Sequence, residues 1–218
     1  MSVIAIDGPA GAGKSTISRK VAEVLGWRHI DTGAMYRALT LAALQQGIGP
    51  TDEDSLIGLL SRSRIEVDED MVLLDGRDVS AKVRSQGVGK AVSAIAAHPR
   101  IRRSLIEEQR RMAADGNVVM EGRDIGSAVL PEAGLKVFLT ASLEERARRR
   151  VTDDGAPGSD LGTVTRAIAE RDKADSERAA SPLVKAADAL TVDTTGKTID
   201  QVVDEVVVLA RRAFDGKP

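Results

Sequence analysis

The chain has 218 residues, 42% of them hydrophobic, enough to close one α/β domain around its own core. A net charge of −2 excludes a global attraction for nucleic acid or anionic membrane, and four aromatic residues (Trp27, Tyr36, Phe138, Phe214) are too few for a base-stacking platform. With no cysteine and two histidines (His29, His98), a disulfide framework, a thiolate metal site and a zinc centre are also excluded. No apolar run approaches a membrane span and no basic, apolar leader precedes the first strand, so a soluble cytoplasmic protein without a membrane partner is expected.

The first predicted element is a buried strand, Val3-Ile4-Ala5-Ile6. It runs into Gly8-Pro9-Ala10-Gly11-Ala12-Gly13-Lys14-Ser15-Thr16, which fits G-x-x-x-x-G-K-[ST], and a helix with apolar Ile17, Val21, Val24 and Leu25 leaves. That strand–loop–helix setting marks a phosphate loop. Glycines open backbone angles closed to other residues and let bare N–H groups surround phosphate oxygens, while the helix start adds partial positive charge. Lys14 is placed to reach the outer phosphates and the Ser15 hydroxyl to ligate Mg²⁺. The whole stretch from Gly8 to Thr16 is therefore the expected nucleoside triphosphate site. The plain alternative is a glycine-rich turn that matches by accident.

A second strand is expected over 26–31, with a helix from Thr32-Gly33 that carries Met35, Leu39, Ala42 and Ala43. Residues 47–51 break it, and Thr51-Asp52-Glu53-Asp54 caps the next helix, to about Ser61. Segments 64–68, 71–74 and 77–79, with turns at 68–70 and at Asp75-Gly76, read as a small antiparallel meander inserted in a βα pattern. Helical spacing follows over 83–97 and, with Pro99 in its first turn, over 99–114. A buried strand, 118–121, delivers Gly122-Arg123-Asp124-Ile125-Gly126 to the sheet edge, and a core strand, 135–140, precedes a helix capped by Ser142. Residues 153–160 form a short break between two arginine-rich helices, either a lid or an ordinary surface loop. A helix over 161–178, a last strand over 189–193 and a closing helix over 199–214 complete the chain. The alternation predicts an α/β phosphate-loop fold with a central parallel sheet of about five strands, a small antiparallel insert and a short lid.

Several polar groupings lie at the predicted strand ends. Asp31-Thr32-Gly33-Ala34-Met35-Tyr36-Arg37 sets a hydroxyl, a phenol and a guanidinium beside one another, a natural acceptor-phosphate site, although a capping Thr with a surface Arg reads the same way. Arg123 and Asp124 sit at another strand edge, where the plain alternative is a local ion pair. Arg171, Asp175 and Arg178 fall at i, i+4 and i+7 on one expected helix face, which also suits a solvated salt-bridge ladder. Arg146 and Arg150 share a face just before the candidate lid, where cations would neutralise a transferring phosphate. Arg103, Glu107 and Arg111 are read as a surface ladder.

In this order and spacing, IDGPAGAGKST, DTGAMYR, EGRDIG, ERDxxDSxR and SPLVKAADALTVDTT resemble the bacterial cytidylate kinases, within the nucleoside monophosphate kinase family, over nearly the whole chain. The meander at about 64–79 resembles that family's enlarged monophosphate-binding insert. The resemblance implies one kinase domain over 1–218: a core at about 1–32, 116–150 and 180–218, the insert at about 33–115 and the lid at about 151–162. It implies ATP and Mg²⁺ at the loop, CMP or dCMP as acceptor, and a monomer. Thr32, Tyr36, Arg37, Arg123 and Arg178 would surround the acceptor phosphate, with Ser93, Arg102 and Asp124 toward the cytosine and Arg171 and Asp175 on the ribose. Lys14, Arg37, Arg123, Arg178 and the lid-side Arg150 would be the catalytic cations. Two positions depart from the family pattern: Thr32 stands where Ser is common, and Glu121 where Asp is common.

Two rival readings remain open at the level of sequence. A kinase of the same fold acting on UMP, AMP or a metabolite hydroxyl is one, and a hydroxyl acceptor would want a carboxylate base such as Asp31. The other is a nucleotide-dependent switch, for which Asp193-Thr194-Thr195-Gly196 offers a superficial D-x-x-G but no N-K-x-D partner occurs.

Overall fold

A computed structural model describes residues 2–68, 71–153 and 160–214, with Asp153 described in its backbone only. The strand β1 (Val3–Asp7) is buried along its whole length, as its unbroken apolar run requires of a strand covered on both faces. The remaining strands of its sheet are β2 (Arg28–Asp31), β6 (Val118–Glu121), β7 (Leu135–Thr140) and β8 (Leu190–Asp193). Their order is β2-β6-β1-β7-β8 and every pairing is parallel, so β1 lies at the centre and pairs with partners more than a hundred residues downstream.

One face of the sheet is covered by α1 (Lys14–Leu25) and α8 (Ile199–Phe214). There Ile17, Val21, Val203 and Val206 close on Ile4, Ile6, Val137 and Leu139. The Trp27 and Phe214 rings meet edge to face at 5.1 Å between centroids, fastening α8 to the turn between α1 and β2. The other face carries Ala5, Ile30, Val118 and Met120 against Ala113, Ile125 and Val129.

A separate apolar cluster is centred on α2 (Thr32–Gln45), whose Met35, Leu39 and Ala43 are buried. Around it pack α3 (Glu53–Arg62), the antiparallel strands β3 (Ile65–Asp68), β4 (Met71–Leu74) and β5 (Arg77–Asp78), and the helices α4 (Gln86–Ala96) and α5 (Pro99–Ala113). Asp52 caps α3 through Ser55 N, as its position before Glu53-Asp54 leads one to expect. Asp75 and Gly76 both take positive φ (52° and 74°), the backbone a tight hairpin turn demands.

The helix expected over 83–97 is broken. Lys82–Arg84 forms a 3₁₀ turn, and Ser85, extended at φ −62° and ψ 153°, starts α4 afresh at Gln86. The helical spacing persists across the break because both pieces bury valines, Val83 and then Val88 and Val92, against α2. The candidate lid lies largely outside the described residues, between α6 (Leu143–Asp153) and α7 (Leu161–Glu177).

The loop after β1 requires glycine at its first position. Gly8 has φ 149°, and a Cβ there would lie 2.1 Å from the Leu139 carbonyl oxygen of β7. Gly8→Ala should therefore lower stability by about 1–3 kcal/mol in denaturant unfolding. Gly49→Ala, where nothing lies within 4 Å of the added methyl, should be neutral or stabilising by up to about 1 kcal/mol.

Candidate active site

The phosphate loop ends at Gly13, left-handed at φ 87°, which N-caps α1 without any side-chain hydrogen bond. The first N–H groups of α1 therefore remain available to an anion. Lys14 is buried and its Nζ donates to the Pro9 carbonyl at 2.8 Å. Burial, followed by the charge of Arg123, brings its pKa down to about 7. Ser15 Oγ donates to Glu121 Oε2 at 3.0 Å, and the other oxygen of that carboxylate meets His29 Nε2 at 3.2 Å. Thr32 Oγ1 donates to the Glu121 carbonyl at 2.7 Å. A Cβ on the next residue, Gly122, would fall 2.8 Å from that Thr32 oxygen, so β2 and β6 reach their carboxyl ends in close register.

Asp7, the last residue of β1, accepts from the backbone N–H groups of Ile125 and Gly126, each at 2.8 Å. Burial pushes its pKa up to about 6 against the pull of those two bonds. Asp7 thereby binds the start of the wide turn Ile125–Val129 to the strand that carries the phosphate loop. The intervening Arg123 and Asp124 are left projecting at the sheet edge.

Those two residues anchor a buried network. Asp124 pairs with Arg102 on one oxygen and with Arg178 Nη2 on the other, the latter at 3.2 Å. Arg102 also donates to the Ala96 carbonyl at 3.1 Å and lies over the Tyr36 ring, 5.4 Å from its centroid. Arg123 Nε donates to Asp175 at 2.9 Å. Arg171 is depressed to about 10, first by burial and then by the charge of Arg123, with Arg37 and Arg150 adding to it. Arg178 is likewise lowered by burial and by Arg102. Cations that depress one another in this way are held close together without full neutralisation. The buried Nε atoms of Arg37, Arg102 and Arg171 have no hydrogen-bond partner, which marks donors suited to a ligand.

Residues of distant segments thus meet in one place: Lys14 and Ser15 from the loop, Thr32, Tyr36 and Arg37 from the start of α2, Arg102 from α5, Arg123 and Asp124 after β6, and Arg171, Asp175 and Arg178 from α7 and its end. Ser93 lies half-buried on α4, one turn before Ala96, whose carbonyl receives Arg102. Arg178 corrects the expected helix face. α7 stops at Glu177, and Arg178, extended at φ −63° and ψ 138°, sends its Nε to the Ser181 carbonyl at 2.6 Å. It reaches the site from beyond the helix rather than from a shared i, i+7 stripe.

Three other readings are also revised. Asp31 caps α2 through Ala34 N and pairs with Arg37 at 2.6 Å; burial pushes its pKa up, but the charge and hydrogen bond of Arg37, with His29 and the Ala34 N–H, together hold it below the usual range. It is a positioner of Arg37 and not a free base. Arg146 shares a face of α6 with Arg150 but is tied to Asp172 and to the Ala10 carbonyl, so it braces the loop and is not a free cation toward the lid. Asp193 accepts from Thr195 N and Oγ1 while Thr194 receives Arg149, so the D-x-x-G is a structural turn. In the 103–111 ladder, Arg111 pairs with Glu108.

The profile of the family described as Cytidylate kinase matches residues 4–212. The chain belongs to the cytidylate kinase family. It is 51% identical over 217 residues to "Cytidylate kinase" of Symbiobacterium thermophilum, covering 96% of each chain. It is 50% identical to "Cytidylate kinase" of Geobacillus sp. (strain WCH70), over 94% of each. A gluconokinase from Sinorhizobium meliloti 1021 shares the fold alone, with a TM-score of 0.54 at 16% identity over 99% of this chain and 94% of that one.

For a member of the cytidylate kinase family, the departure at Glu121 has a local explanation. The carboxylate spans from Ser15 to the buried imidazole of His29, a partner on the neighbouring strand. His29 and Asp7 are functional neighbours that sequence reasoning missed. His29 lies two residues before Asp31, and strand alternation sets both on one side of β2, but only the pairing of β2 with β6 brings Glu121 there.

The depressed Lys14 sets two pH dependences. Between about 7 and its unfolded value the unfolded chain binds more protons than the folded one, so burying Lys14 costs stability at low pH and that cost is relieved as pH rises across this window. Triphosphate at the loop would restore the charged form. Binding of a non-hydrolysable ATP analogue near pH ~8 should therefore take up as much as about one proton per nucleotide. Calorimetry in buffers of different ionisation enthalpy reads this uptake, and Lys14→Ala should abolish most of it.

Proposed function

We propose that this chain transfers the γ-phosphoryl group of ATP to CMP and dCMP, yielding CDP and dCDP, with the base read by Arg102 and Asp124. The observation that carries this assignment is their buried ion pair beside the phosphate loop. Cytosine presents an amino donor at position 4 and an acceptor at N3, whereas uracil reverses both. A carboxylate facing the amino group and a guanidinium facing N3 and O2 suit cytosine and not uracil, and Arg102 Nε has no hydrogen-bond partner within the protein. Ser93 completes the base side.

The acceptor oxygen belongs to a phosphate with a second pKa of about 6, so it is ionised at neutral pH and needs no base. This agrees with a site rich in arginine whose candidate base, Asp31, is already engaged as the cap of α2 and the partner of Arg37. The chemistry then rests on holding two anions together and stabilising charge in transfer. Lys14 and the loop from Gly8 through Thr16 hold the donor phosphates. Thr32, Tyr36, Arg37, Arg123 and Arg178 receive the acceptor phosphate, Arg171 and Asp175 the ribose, and Arg150 approaches from the lid side.

Among the described residues no cluster of three His, Cys, Asp or Glu side chains could hold a metal ion alone. Ser15 Oγ and the Glu121 carboxylate, 3.0 Å apart, instead fit an ion that arrives with the nucleotide and takes few protein ligands, as Mg²⁺ does. When bound there, Mg²⁺ would neutralise charge on the donor phosphates.

We further infer the division into a core (about 1–32, 116–150, 180–218), a monophosphate-binding insert (about 33–115) and a lid (about 151–162). The separate apolar cluster around α2 supports the insert. All the named groups come from one chain, which supports a monomer as the working unit. No described helix is long and apolar enough to cross a membrane, consistent with a cytoplasmic enzyme that uses soluble nucleotides.

The test is a screen of CMP, dCMP, UMP and AMP with ATP, repeated for Arg102→Met. Each polar group stranded by the wrong base costs roughly 1–3 kcal/mol, so CMP should lead UMP by about 10²-fold or more in kcat/KM. Arg102→Met should weaken CMP use and narrow that lead while Mg-ATP binding changes little. An unchanged CMP-to-UMP ratio would remove Arg102 from base reading. In the same assay Arg178→Ala should lose far more activity than Arg103→Ala, since Arg103 is exposed on α5.

A further inference from the structure

The phosphate loop is joined to α6 and α7 at a single residue, Ala10. Ala10 N–H donates to Asp172 Oδ1 at 3.1 Å, and the Ala10 carbonyl accepts from Arg146 Nη1 at 3.0 Å. Arg146 also pairs with the second oxygen of Asp172 and donates its Nε to the Ala141 carbonyl. One ion pair, supplied by α6 and α7, therefore grips both polar ends of residue 10. The grip is close as well as polar, because a Cβ on the adjacent Gly11 would lie 3.1 Å from Arg146 Cβ and 3.2 Å from its carbonyl oxygen.

Asp172 follows Arg171 directly in α7. The two side chains leave the helix about 100° apart, one toward the donor loop and the other toward the cluster of Arg123 and Arg37. Asp175, one turn further on, holds Arg123. The helix is thus a rigid bar with the donor loop fixed at one side and the acceptor groups at the other. Transfer requires reacting atoms about 3–3.5 Å apart, and an error of about 1 Å costs up to about 10²-fold in rate.

We propose that Asp172 is a positioning residue: braced by Arg146, it fixes the phosphate loop at Ala10 to the helix that carries Arg171 and Asp175, and so sets the spacing between donor and acceptor phosphates. This rests on the kinase reading above. Asp172 touches neither nucleotide in that reading, so its loss should reduce turnover rather than binding. The carboxylate also requires Arg146 beside it, since an uncompensated anion at the loop would repel the donor phosphates.

The test compares Asp172→Ala, Asp172→Asn and Asp172→Glu in the full chain. Steady-state kinetics give kcat, and calorimetry gives Kd for CMP and for a non-hydrolysable ATP analogue. Asp172→Ala should lower kcat about 10- to 100-fold with both Kd values within about threefold of the parent. Asp172→Asn keeps an acceptor of the same length for Ala10 N–H but turns an amide N–H toward Arg146, and should recover part of the turnover lost in Asp172→Ala. Asp172→Glu keeps the charge but lengthens the brace, and should lower kcat at unchanged binding; it carries the test alone if circular dichroism shows Asp172→Ala unfolded. A kcat within about twofold of the parent in either altered-spacing variant overturns the proposal. So does a loss that appears equally in Kd, or one that Asn fails to repair. A parent inactive with CMP would refute the acceptor assignment instead, and the variants are then compared on whichever monophosphate the parent uses.

Discussion

Bringing two phosphate groups into contact distance requires an excess of positive charge that water does not fully screen, and the rest of this structure is arranged to maintain it. Lys14, Arg37, Arg102, Arg123, Arg171 and Arg178 are all drawn partly or wholly out of solvent at one sheet edge, facing the carboxylates Asp31, Asp124 and Asp175. Left to themselves these cations would move apart, and burial with their mutual repulsion lowers the pKa of Lys14 to about 7 and of Arg171 to about 10. Lys14, Arg37, Arg102, Arg123 and Arg178 are each held by carbonyls or carboxylates that orient them without cancelling their charge. Buried ion pairs contribute little net stability once desolvation is counted, so their justification here lies in geometry and not in holding the fold together.

The fold reconciles this cost with a stable core by separating the two. Apolar burial is concentrated on the two faces of the parallel sheet and around α2, while most of the buried charge gathers at the carboxyl ends of the strands. Short backbone tethers connect the zones. Asp7 fastens the turn after β6 to β1, and Thr32 fastens the start of α2 to the end of β6. The charged edge inherits the rigidity of a core that contains almost none of the charge.

What could be read from the chain followed the range of the interactions involved. The phosphate loop, the helix caps at Asp52 and Ser142 and the strand pattern are local, so residue types at fixed spacing sufficed. The groups at Thr32–Arg37 and Arg123–Asp124 were visible because they follow strands directly. Partners were not legible where they depend on strand order: His29 with Glu121, Asp7 with the turn at Ile125, and Asp172 with Ala10 all bridge segments that only the sheet brings together. Periodicity also misled in two places. It carried the helix at 83–97 through an extended Ser85 because both sides bury valines, and it set Arg178 on a helix that has already ended.

The central place of β1 bears on how the protein is made. The nucleotide-binding motif leaves the ribosome before its sheet partners, for Ile4 pairs with Val119 on one side and Leu135 on the other, and Gly8 is pressed against Leu139. The loop cannot take its working shape until some 130 further residues have been synthesised, and α1 stays partly uncovered until the final helix brings Phe214 to Trp27. Such late, long-range closure slows folding and leaves apolar surface exposed on the nascent chain. A nascent chain halted before β7 would therefore display the complete phosphate-loop sequence without the support that shapes it, and ligand binding would wait for β7.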